Sequence, residues 1–426
     1  MRASALILVL LVVIGALFAP RTDASHVVVP VDQQRVVYVS PDYAIFTMLS
    51  DGTDRDRITT GAPIGGVLAQ PLLQETPRFT WPTWSPDGRR LVASRFSDLG
   101  RRQVAALSLI EPPSSEETFL QVSRRGGVDR VADGTFHFPL WSPDGEQLAL
   151  IAPNDSATAL LLSVIGGDGG TVGITAGAPI YFTWSPDSTL MAIHHRDRLL
   201  FRDSEGELFD AARPSIRYRV PAISEDSVTL AYVADLGDGE ELVVRTIATG
   251  EERGLIPVGT EAAFAFSPTD TDSLAVVVRP SQLPTSYGGL SLVEVTTGEQ
   301  RMLFDETVYG FWWSPDGTKI ALVTSGPDSF IWEVVDVATG EATALTDFIP
   351  STDFTTYIQF FDQFALSQQV WSADSTAITF AGRMVVDVEE ASEDVAWVLD
   401  VTGERPPTTL ADAELAFFVP TGSGPR

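Results

Sequence analysis

The 426-residue chain carries 57 Asp and Glu residues against 28 Lys and Arg residues, which gives a formal net charge of −29. An acidic surface of this size repels phosphate backbones, so we expect no nucleic-acid partner. The sequence contains no cysteine, which excludes disulfide bonds, thiol catalysis and thiolate metal sites.

An apolar run of 15 residues, Ala5 to Ala19, follows Arg2 at the start of the chain. It suits the central region of a signal peptide and is short for a membrane span, which needs about 20 residues. The sequence therefore predicts a signal peptide over residues 1–24, with an uncleaved membrane anchor through residues 5–19 as the alternative. We expect an exported protein, periplasmic or extracellular, whose residues 25–426 form a single domain and whose only membrane contact is such an anchor.

A five-residue motif, here called the pentad, recurs along the rest of the chain and first occurs as Trp84-Ser85-Pro86-Asp87-Gly88. Complete or decayed copies begin at Trp84, Trp141, Trp184, Ile223, Phe266, Trp313 and Trp371. Each copy follows a short apolar stretch and precedes an alternating one, which predicts strand, turn and strand. Proline presets φ at the second turn position, and Gly or Ser completes the turn. We interpret the pentad as scaffold, with its tryptophan packed between neighbouring repeats.

A second turn, rich in glycine, follows later in each repeat, as in Thr249-Gly250-Glu251. The eight copies lie at residues 51–52, 112–115, 166–170, 204–206, 249–251, 297–299, 339–341 and 402–404. They separate strand-like runs, and glycine supplies the positive φ that tight hairpins need. Each repeat of about 40–50 residues therefore holds four strands and two turns, which is the size of a β-propeller blade.

Eight second turns occur against seven pentads because the N-terminal repeat lacks a pentad. Residues 414–421 stand alone after the last complete repeat, and Phe418-Val419-Pro420-Thr421 resembles Phe266-Ser267-Pro268-Thr269. We expect this segment to supply the first strand of the blade that begins at the N-terminus, which leaves no open edge. The prediction is an all-β fold: an eight-bladed β-propeller of four-stranded antiparallel blades, with N- and C-terminal strands sharing one blade. Seven blades is the alternative, if the repeat around Ser224 is degenerate.

The pentads and the strands after them resemble the WD40-like (PD40) repeat of TolB-type bacterial propellers, and more distantly the propellers of prolyl-oligopeptidase-like enzymes. The resemblance spans residues 35–421 and implies the fold. TolB proteins carry an α/β domain before the propeller; we expect none here, so a TolB role in envelope integrity does not follow. The oligopeptidases add an α/β-hydrolase domain with a Ser-His-Asp triad, but no serine in this chain has glycine at both −2 and +2.

No sequence pattern is typical of a catalytic or metal site. The four histidines, His26, His137, His194 and His195, form no His-x-x-x-His pair. His194 and His195 are strand neighbours that point to opposite faces, so we expect one to be half-buried and the other exposed. Residues 235–241 are rich in Asp and Glu but lack EF-hand spacing, and we interpret them as a solvated loop. We therefore expect no enzymatic activity, no metal and no cofactor.

Four long connections, at residues 60–78, 123–136, 280–289 and 347–369, fall on one face of the predicted propeller. This long-loop face carries the links between blades and between second and third strands, and long loops on a rigid scaffold often carry function. The predicted ligand-binding residues lie there: Phe354, Tyr357, Phe360, Phe361, Phe364 and Tyr287. The alternative is that these aromatic residues plug the central channel, and their exposure distinguishes the two interpretations.

The expected function is an exported, non-catalytic scaffold that engages a protein, peptide or glycan of the cell envelope through the long-loop face. The alternative is a carboxylate- or metal-dependent hydrolase that acts on a sugar or ester at the channel mouth. Glycosidases need two carboxylates about 5–10 Å apart, and with 57 acidic residues the sequence cannot nominate a pair.

Overall fold

The computed structural model describes residues 29–59, 76–99, 102–114, 117–122, 138–153, 160–166, 170–211, 216–235, 237, 239–282, 285–385 and 393–422. The predicted signal peptide, residues 1–24, lies outside the described residues. Within the described ranges, no helix is both long enough and apolar enough to cross a membrane.

The described strands form six antiparallel sheets of four strands and one sheet of seven. The four-stranded sheets comprise β1 (Arg35–Val39), β2 (Ile45–Leu49) and β3 (Asp56–Arg57) with β31 (Leu415–Phe418); β4 (Thr76–Trp84), β5 (Leu91–Leu99), β6 (Arg102–Ile110) and β7 (Glu117–Val122); β8 (Phe138–Trp141), β9 (Leu148–Pro153), β10 (Leu160–Ile165) and β11 (Thr171–Gly177); β12 (Ile180–Trp184), β13 (Leu190–His195), β14 (Arg198–Asp203) and β15 (Leu208–Ala211); β16 (Ala222–Ile223), β17 (Thr229–Asp235), β18 (Glu240–Thr246) and β19 (Glu252–Pro257); and β20 (Ala262–Phe266), β21 (Ser273–Val278), β22 (Leu290–Glu294) and β23 (Gln300–Phe304). The seven-stranded sheet comprises β24 (Val308–Trp313), β25 (Lys319–Ser325), β26 (Phe330–Asp336), β27 (Ala342–Pro350), β28 (Ala377–Met384), β29 (Val395–Asp400) and β30 (Thr408–Asp412). A short 3-10 helix spans Val31–Gln33, and two α-helices follow β27: α1 (Thr352–Gln359) and α2 (Phe361–Phe364).

The pentads form the turns between the first and second strands of the sheets, as the sequence predicts. In the first copy the Ser85 hydroxyl donates to Asp87 Oδ1 at 2.6 Å and accepts from the Arg90 backbone N–H at 2.9 Å. In six of the seven copies the fifth position takes a positive φ, for example 68° at Gly88 and 62° at Ser188. The pentad serine is buried in every copy. The turns are also joined to one another, since the Asp144 backbone N–H donates to the Ser188 hydroxyl of the next pentad at 2.9 Å.

The pentad tryptophans join neighbouring sheets. In four of the five, the indole N–H donates to the carbonyl of the residue just before the preceding pentad: Trp141 to Thr83 (3.4 Å), Trp184 to Leu140 (3.4 Å), Trp313 to Ala265 (3.1 Å) and Trp371 to Trp312 (3.0 Å). A hydrogen bond of this kind contributes about 1 kcal/mol to the free energy of unfolding, and it recurs between several pairs of neighbouring sheets. The interpretation of these tryptophans as packing residues between blades is confirmed.

The two ends of the described chain meet in one sheet. β31 pairs antiparallel with β1, in register Val36↔Phe418 to Val39↔Leu415, and so occupies the place of a first strand. The turn after β31 resembles a pentad turn in conformation, because Gly422 adopts a φ of 73° like the fifth residue of other copies. The C-terminal segment therefore supplies the strand that the N-terminal repeat lacks.

The seven-stranded sheet joins two repeats edge to edge. β27 pairs with β28 through Phe348↔Met384 to Pro350↔Gly382, and the chain then leaves the sheet for residues 351–369. It returns at Trp371, which forms an isolated antiparallel bridge to Ile378 of β28. Residues 351–369, here called the plug segment, are thus an excursion between the end of β27 and the next pentad.

Candidate functional site

The plug segment is held by its aromatic side chains. Ser351 caps α1 by accepting a hydrogen bond from the Phe354 backbone N–H at 3.1 Å. Phe364 stacks on Trp81 of β4 with ring centroids 4.3 Å apart, and Tyr357 stacks on Trp312 of β24 at 5.7 Å. Side chains from separate sheets therefore meet on this one segment, which packs into the main hydrophobic core.

Buried amides fix the plug segment to the inner strands. The Gln363 side chain donates to the Phe182 carbonyl at 3.2 Å and accepts from the Phe182 N–H at 3.4 Å. Gln368 Nε2 donates to Thr83 Oγ1 at 3.0 Å. Because both side chains are almost fully buried, these bonds satisfy polar groups that would otherwise be costly.

The six predicted binding residues differ in exposure. Five are buried, as the plug interpretation expects: Phe354, Tyr357, Phe361, Phe364 and Tyr287. Phe360 is different, with 37% of its surface exposed. The structure brings all six together around the plug segment, and Phe360 is the member whose ring is accessible.

Arg219 connects the plug segment to the sheets. Its Nε donates to Asp362 Oδ2 at 2.9 Å, its Nη1 to the Gln359 carbonyl at 2.6 Å, and its Nη2 to the Tyr287 hydroxyl at 3.1 Å. Its guanidinium also lies 5.5 Å from the Phe360 ring centroid, within reach of a cation–π contact. Burial raises the pKa of Asp362 above the usual range of an aspartate, although Arg219 acts in the opposite direction.

A second group of charges extends this network. The Tyr287 hydroxyl donates to Glu261 Oε1 at 3.0 Å, and Arg279 lies 2.9 Å from the same oxygen. Arg279 also lies 4.9 Å from the Tyr287 ring centroid. Nearby charges, those of Arg219, Asp362 and Glu261, also act on the pKa of the Tyr181 phenol. Burial is the main reason that this pKa rises to about 12.

A pocket of about 460 Å³ lies beside these groups on the long-loop face. We call it the arginine pocket, and its lining includes Tyr181, His194, Arg196, Arg219, Glu261 and Arg279. His194 stacks on Tyr218 at 4.0 Å and donates from Nδ1 to the Arg219 carbonyl at 2.9 Å, which fixes its ring. Arg196 is exposed and sits at a φ of 59° in the turn between β13 and β14.

The prediction for the exposure of His194 and His195 is wrong in one respect. Both His194 and His195 are buried, whereas the sequence predicted one exposed ring. They do point to opposite faces, since His194 contacts Tyr218 after β15 and His195 contacts Thr175 of β11. Both faces of a blade are covered by neighbouring blades, so strand alternation alone does not expose either residue.

Sequence reasoning did not identify the arginine pocket. Its residues come from β12, β13 and the turn after it, from the connection between β15 and β16, and from positions next to β20 and β21. No local spacing marks them as a group. Among the described residues, no cluster of three or more His, Asp or Glu side chains is arranged to hold a metal ion. The chemistry that the pocket offers is recognition by arginine and aromatic groups.

The sequence matches no protein-family model and no curated protein. Solved structures share its architecture at low sequence identity. A eukaryotic initiation factor is 12% identical with a TM-score of 0.53, covering 91% of this chain and 99% of that one. A prolyl endopeptidase is 13% identical with a TM-score of 0.50, covering 79% of this chain and 50% of that one.

TolB from Acinetobacter baumannii is 16% identical with a TM-score of 0.39, covering 78% of this chain and 83% of that one. The fold is a β-propeller built mostly of four-stranded antiparallel sheets. At these identities the likeness concerns the fold, because one propeller architecture serves many unrelated functions.

Proposed function

We propose that this propeller is a non-catalytic binding scaffold that engages a protein, peptide or glycan of the cell envelope through its long-loop face. The observation that carries the proposal is the arginine pocket beside Phe360. There an exposed arginine, Arg196, an exposed aliphatic residue, Ile216, and an exposed aromatic ring lie on one face. Arginine and aromatic residues are the side chains that most often dominate binding energy at interfaces.

The predicted aromatic residues have two different roles in the proposed binding. Phe360 contacts the partner directly. Phe354, Tyr357, Phe361, Phe364 and Tyr287 hold the plug segment in place, so that Phe360 and the pocket form a rigid surface. A surface that is already ordered loses less entropy on binding than a mobile loop does.

The proposal includes export to the periplasm or the cell exterior, through a signal peptide at residues 1–24 or an anchor at residues 5–19. Residues 25–426 then act as one propeller domain. The apolar run of residues 5–19 supports this part, since its length suits a signal peptide. Mass spectrometry of the mature protein checks it: an N-terminus at Ser25 is the expected result.

The proposed architecture has eight blades. Six four-stranded sheets supply six of them, and β24 to β27 supply a seventh. β28, β29 and β30, with the Trp371 bridge as their first strand, supply the eighth. The pairing of β31 with β1 supports a ring closed by the two ends of the chain.

Absence of catalysis is part of the proposal, and a screen tests it separately. Purified protein is assayed against ester, peptide and glycoside substrates, with and without added Ca²⁺, Mn²⁺ and Zn²⁺. We expect no turnover under any condition. Turnover that disappears when acidic residues at the channel mouth are replaced would favour the hydrolase alternative.

Capture from envelope extracts tests the binding function. The long-loop variant is Arg196→Ala with Phe360→Ala. Its matched control is Arg89→Ala with Val228→Ala, which removes one exposed arginine and one exposed apolar side chain on the opposite, pentad-bearing face. We expect wild type and the control to retain the same component and the long-loop variant to lose it. Equal retention by all three proteins would overturn the proposal.

A further inference from the structure

A cavity of about 380 Å³ occupies the centre of the molecule on the side of the plug segment away from the long-loop face. Its wall includes the pentad tryptophans Trp84, Trp141, Trp184, Trp313 and Trp371. The third pentad residues surround its mouth: Pro86, Pro143, Pro186, Pro268, Pro315 and Pro420, with Glu225 in the same position. Leu366 and Gln368 of the plug segment lie at its inner end. The size is within the range of pockets that hold small organic ligands.

Four of the five pentad tryptophans present ring surface to this cavity rather than hydrogen-bond donors, and the exception is Trp84. Four of their indole N–H groups are already bound to carbonyls of the neighbouring blade, as in Trp371 to Trp312 at 3.0 Å. Proline has no N–H to offer at the mouth. Apolar and π surface therefore dominates the walls that a ligand would touch.

The turns that form the mouth are strongly acidic. The seven pentad turns, residues 85–90, 142–147, 185–190, 224–229, 267–273, 314–319 and 372–377, contain ten acidic residues and three basic ones. Burial alone would raise the pKa values of Asp87, Asp187 and Asp316, but hydrogen bonds from the pentad serines and from backbone N–H groups lower them. These carboxylates therefore stay ionised at neutral pH. With ten acidic and three basic residues, the turns carry an excess of seven negative charges, which attracts cations to the mouth.

One of the wall tryptophans already accepts a cation within the protein. The Arg90 guanidinium lies 4.6 Å from the Trp141 ring centroid while its Nη2 donates to the Gly145 carbonyl. This contact shows that a repeat tryptophan can hold a positive group in the geometry of a cation–π interaction.

We propose that the central cavity binds a hydrophobic organic cation, an amine or quaternary ammonium group carried on an apolar or aromatic body. The apolar body lies against the tryptophans, and the positive group remains near the acidic mouth, close to Glu225. An anion of the same size is repelled by the mouth, and a neutral analogue loses both the cation–π contact and the attraction of the carboxylates. This site is separate from the long-loop face and does not depend on the function proposed for it.

Intrinsic tryptophan fluorescence provides the test, because six tryptophans line the cavity, the five of the pentads and Trp312. Full-length protein is titrated with benzyltrimethylammonium, with the neutral benzyl alcohol and with benzoate. We expect saturable quenching by the ammonium compound and affinity at least about tenfold lower for the alcohol, with benzoate weakest. Raising the salt to about 1 M, where screening acts within about 3 Å, should weaken the ammonium compound more than the alcohol.

Two variants test whether the ligand binds in the cavity. Leu366→Arg puts a resident cation at the inner end and should abolish saturable binding. Glu225→Gln should weaken the ammonium compound several-fold, whereas the control Glu251→Gln, the same charge change at the second turn of the same blade, should not. Circular dichroism and unfolding midpoints establish that each variant is folded. Equal affinity for the alcohol and the ammonium compound, or binding unchanged by Leu366→Arg, would overturn the proposal.

Discussion

Arg219 and Asp362 lie 143 residues apart in the sequence and form a two-point ion pair. Nε lies 2.9 Å from Oδ2, and Nη2 lies 2.9 Å from Oδ1. Arg219 belongs to the connection between β15 and β16, whereas Asp362 belongs to α2, so the pair joins the plug segment to the blades. Both side chains are largely buried, with 12% and 6% of their surfaces exposed.

Replacing Arg219 tests the importance of this pair. Arg219→Leu leaves the Asp362 carboxylate buried without its counter-charge, and we expect a loss of about 3–5 kcal/mol in the free energy of unfolding. The control is Arg217→Leu, which removes a more exposed arginine from the same connection and should cost about 1 kcal/mol or less. Denaturant titration followed by circular dichroism measures both; equal losses would contradict this account of the plug segment.

The stability of the Arg219→Leu variant should depend on pH. The pKa of Asp362 is raised in the folded protein, so between its unfolded and folded pKa values the folded state binds more protons. The contribution of Asp362 to the free energy of unfolding is therefore most favourable at low pH, and it is lost as the pH rises through the folded pKa. Removing Arg219 raises that pKa further, so the deficit of the variant should be largest at neutral pH and should shrink on acidification. A deficit that grows toward acidic pH would contradict the assignment.

Closure of the ring can be tested at a glycine. Gly88 has a φ of 68°, and a Cβ there would overlap the carbonyl oxygen of Pro420 in the turn after β31. Gly403 has a similar φ of 77°, and a Cβ added there would meet no atom within 4 Å, so Gly403→Ala isolates the cost of the left-handed backbone, about 1–2 kcal/mol. We expect Gly88→Ala to lose clearly more stability than Gly403→Ala in the same denaturant titration. Similar losses would show that the C-terminal turn does not pack on Gly88.

Replacing one partner of the ion pair between Arg95 of β5 and Glu117 of β7 should lower the free energy of unfolding more than replacing both partners. Its atoms lie 2.7 Å apart, and the two side chains are 0% and 1% exposed. Arg95→Met leaves a buried carboxylate and should cost about 3–5 kcal/mol, whereas adding Glu117→Met should recover much of that loss. A double-mutant cycle of unfolding free energies measures the coupling; additive losses would contradict a direct interaction.

The repeat architecture was predictable because its determinants are local. Within its five residues the pentad contains the serine, the aspartate and the positive-φ residue that together make the turn, as in Ser85, Asp87 and Gly88. Local chemistry of this kind is visible in sequence, and its repetition at blade spacing identified the β-propeller. The pairing of β31 with β1 was predictable for the same reason, because one turn was missing at one end and present at the other.

The plug helices and the arginine pocket were not predictable from local pattern. α1 contains three threonines and a tyrosine, which are modest helix formers, and its stability comes from packing of Phe354 and Tyr357 in the centre of the molecule. The contacts of Arg219 with Asp362 and Tyr287 join segments that are distant in sequence. Such relationships depend on how the blades are arranged around the centre, and no spacing rule encodes them.

The most direct test of the long-loop face replaces Phe360 with a photoreactive phenylalanine analogue in cells that make the protein. A matched probe at Val228, which is 48% exposed on the pentad-bearing face, reports encounters that are not specific. Irradiation followed by gel analysis of the tagged protein measures what each position contacts. We expect a discrete crosslinked product from position 360 and not from position 228. No product from position 360, or the same product from both positions, would contradict it.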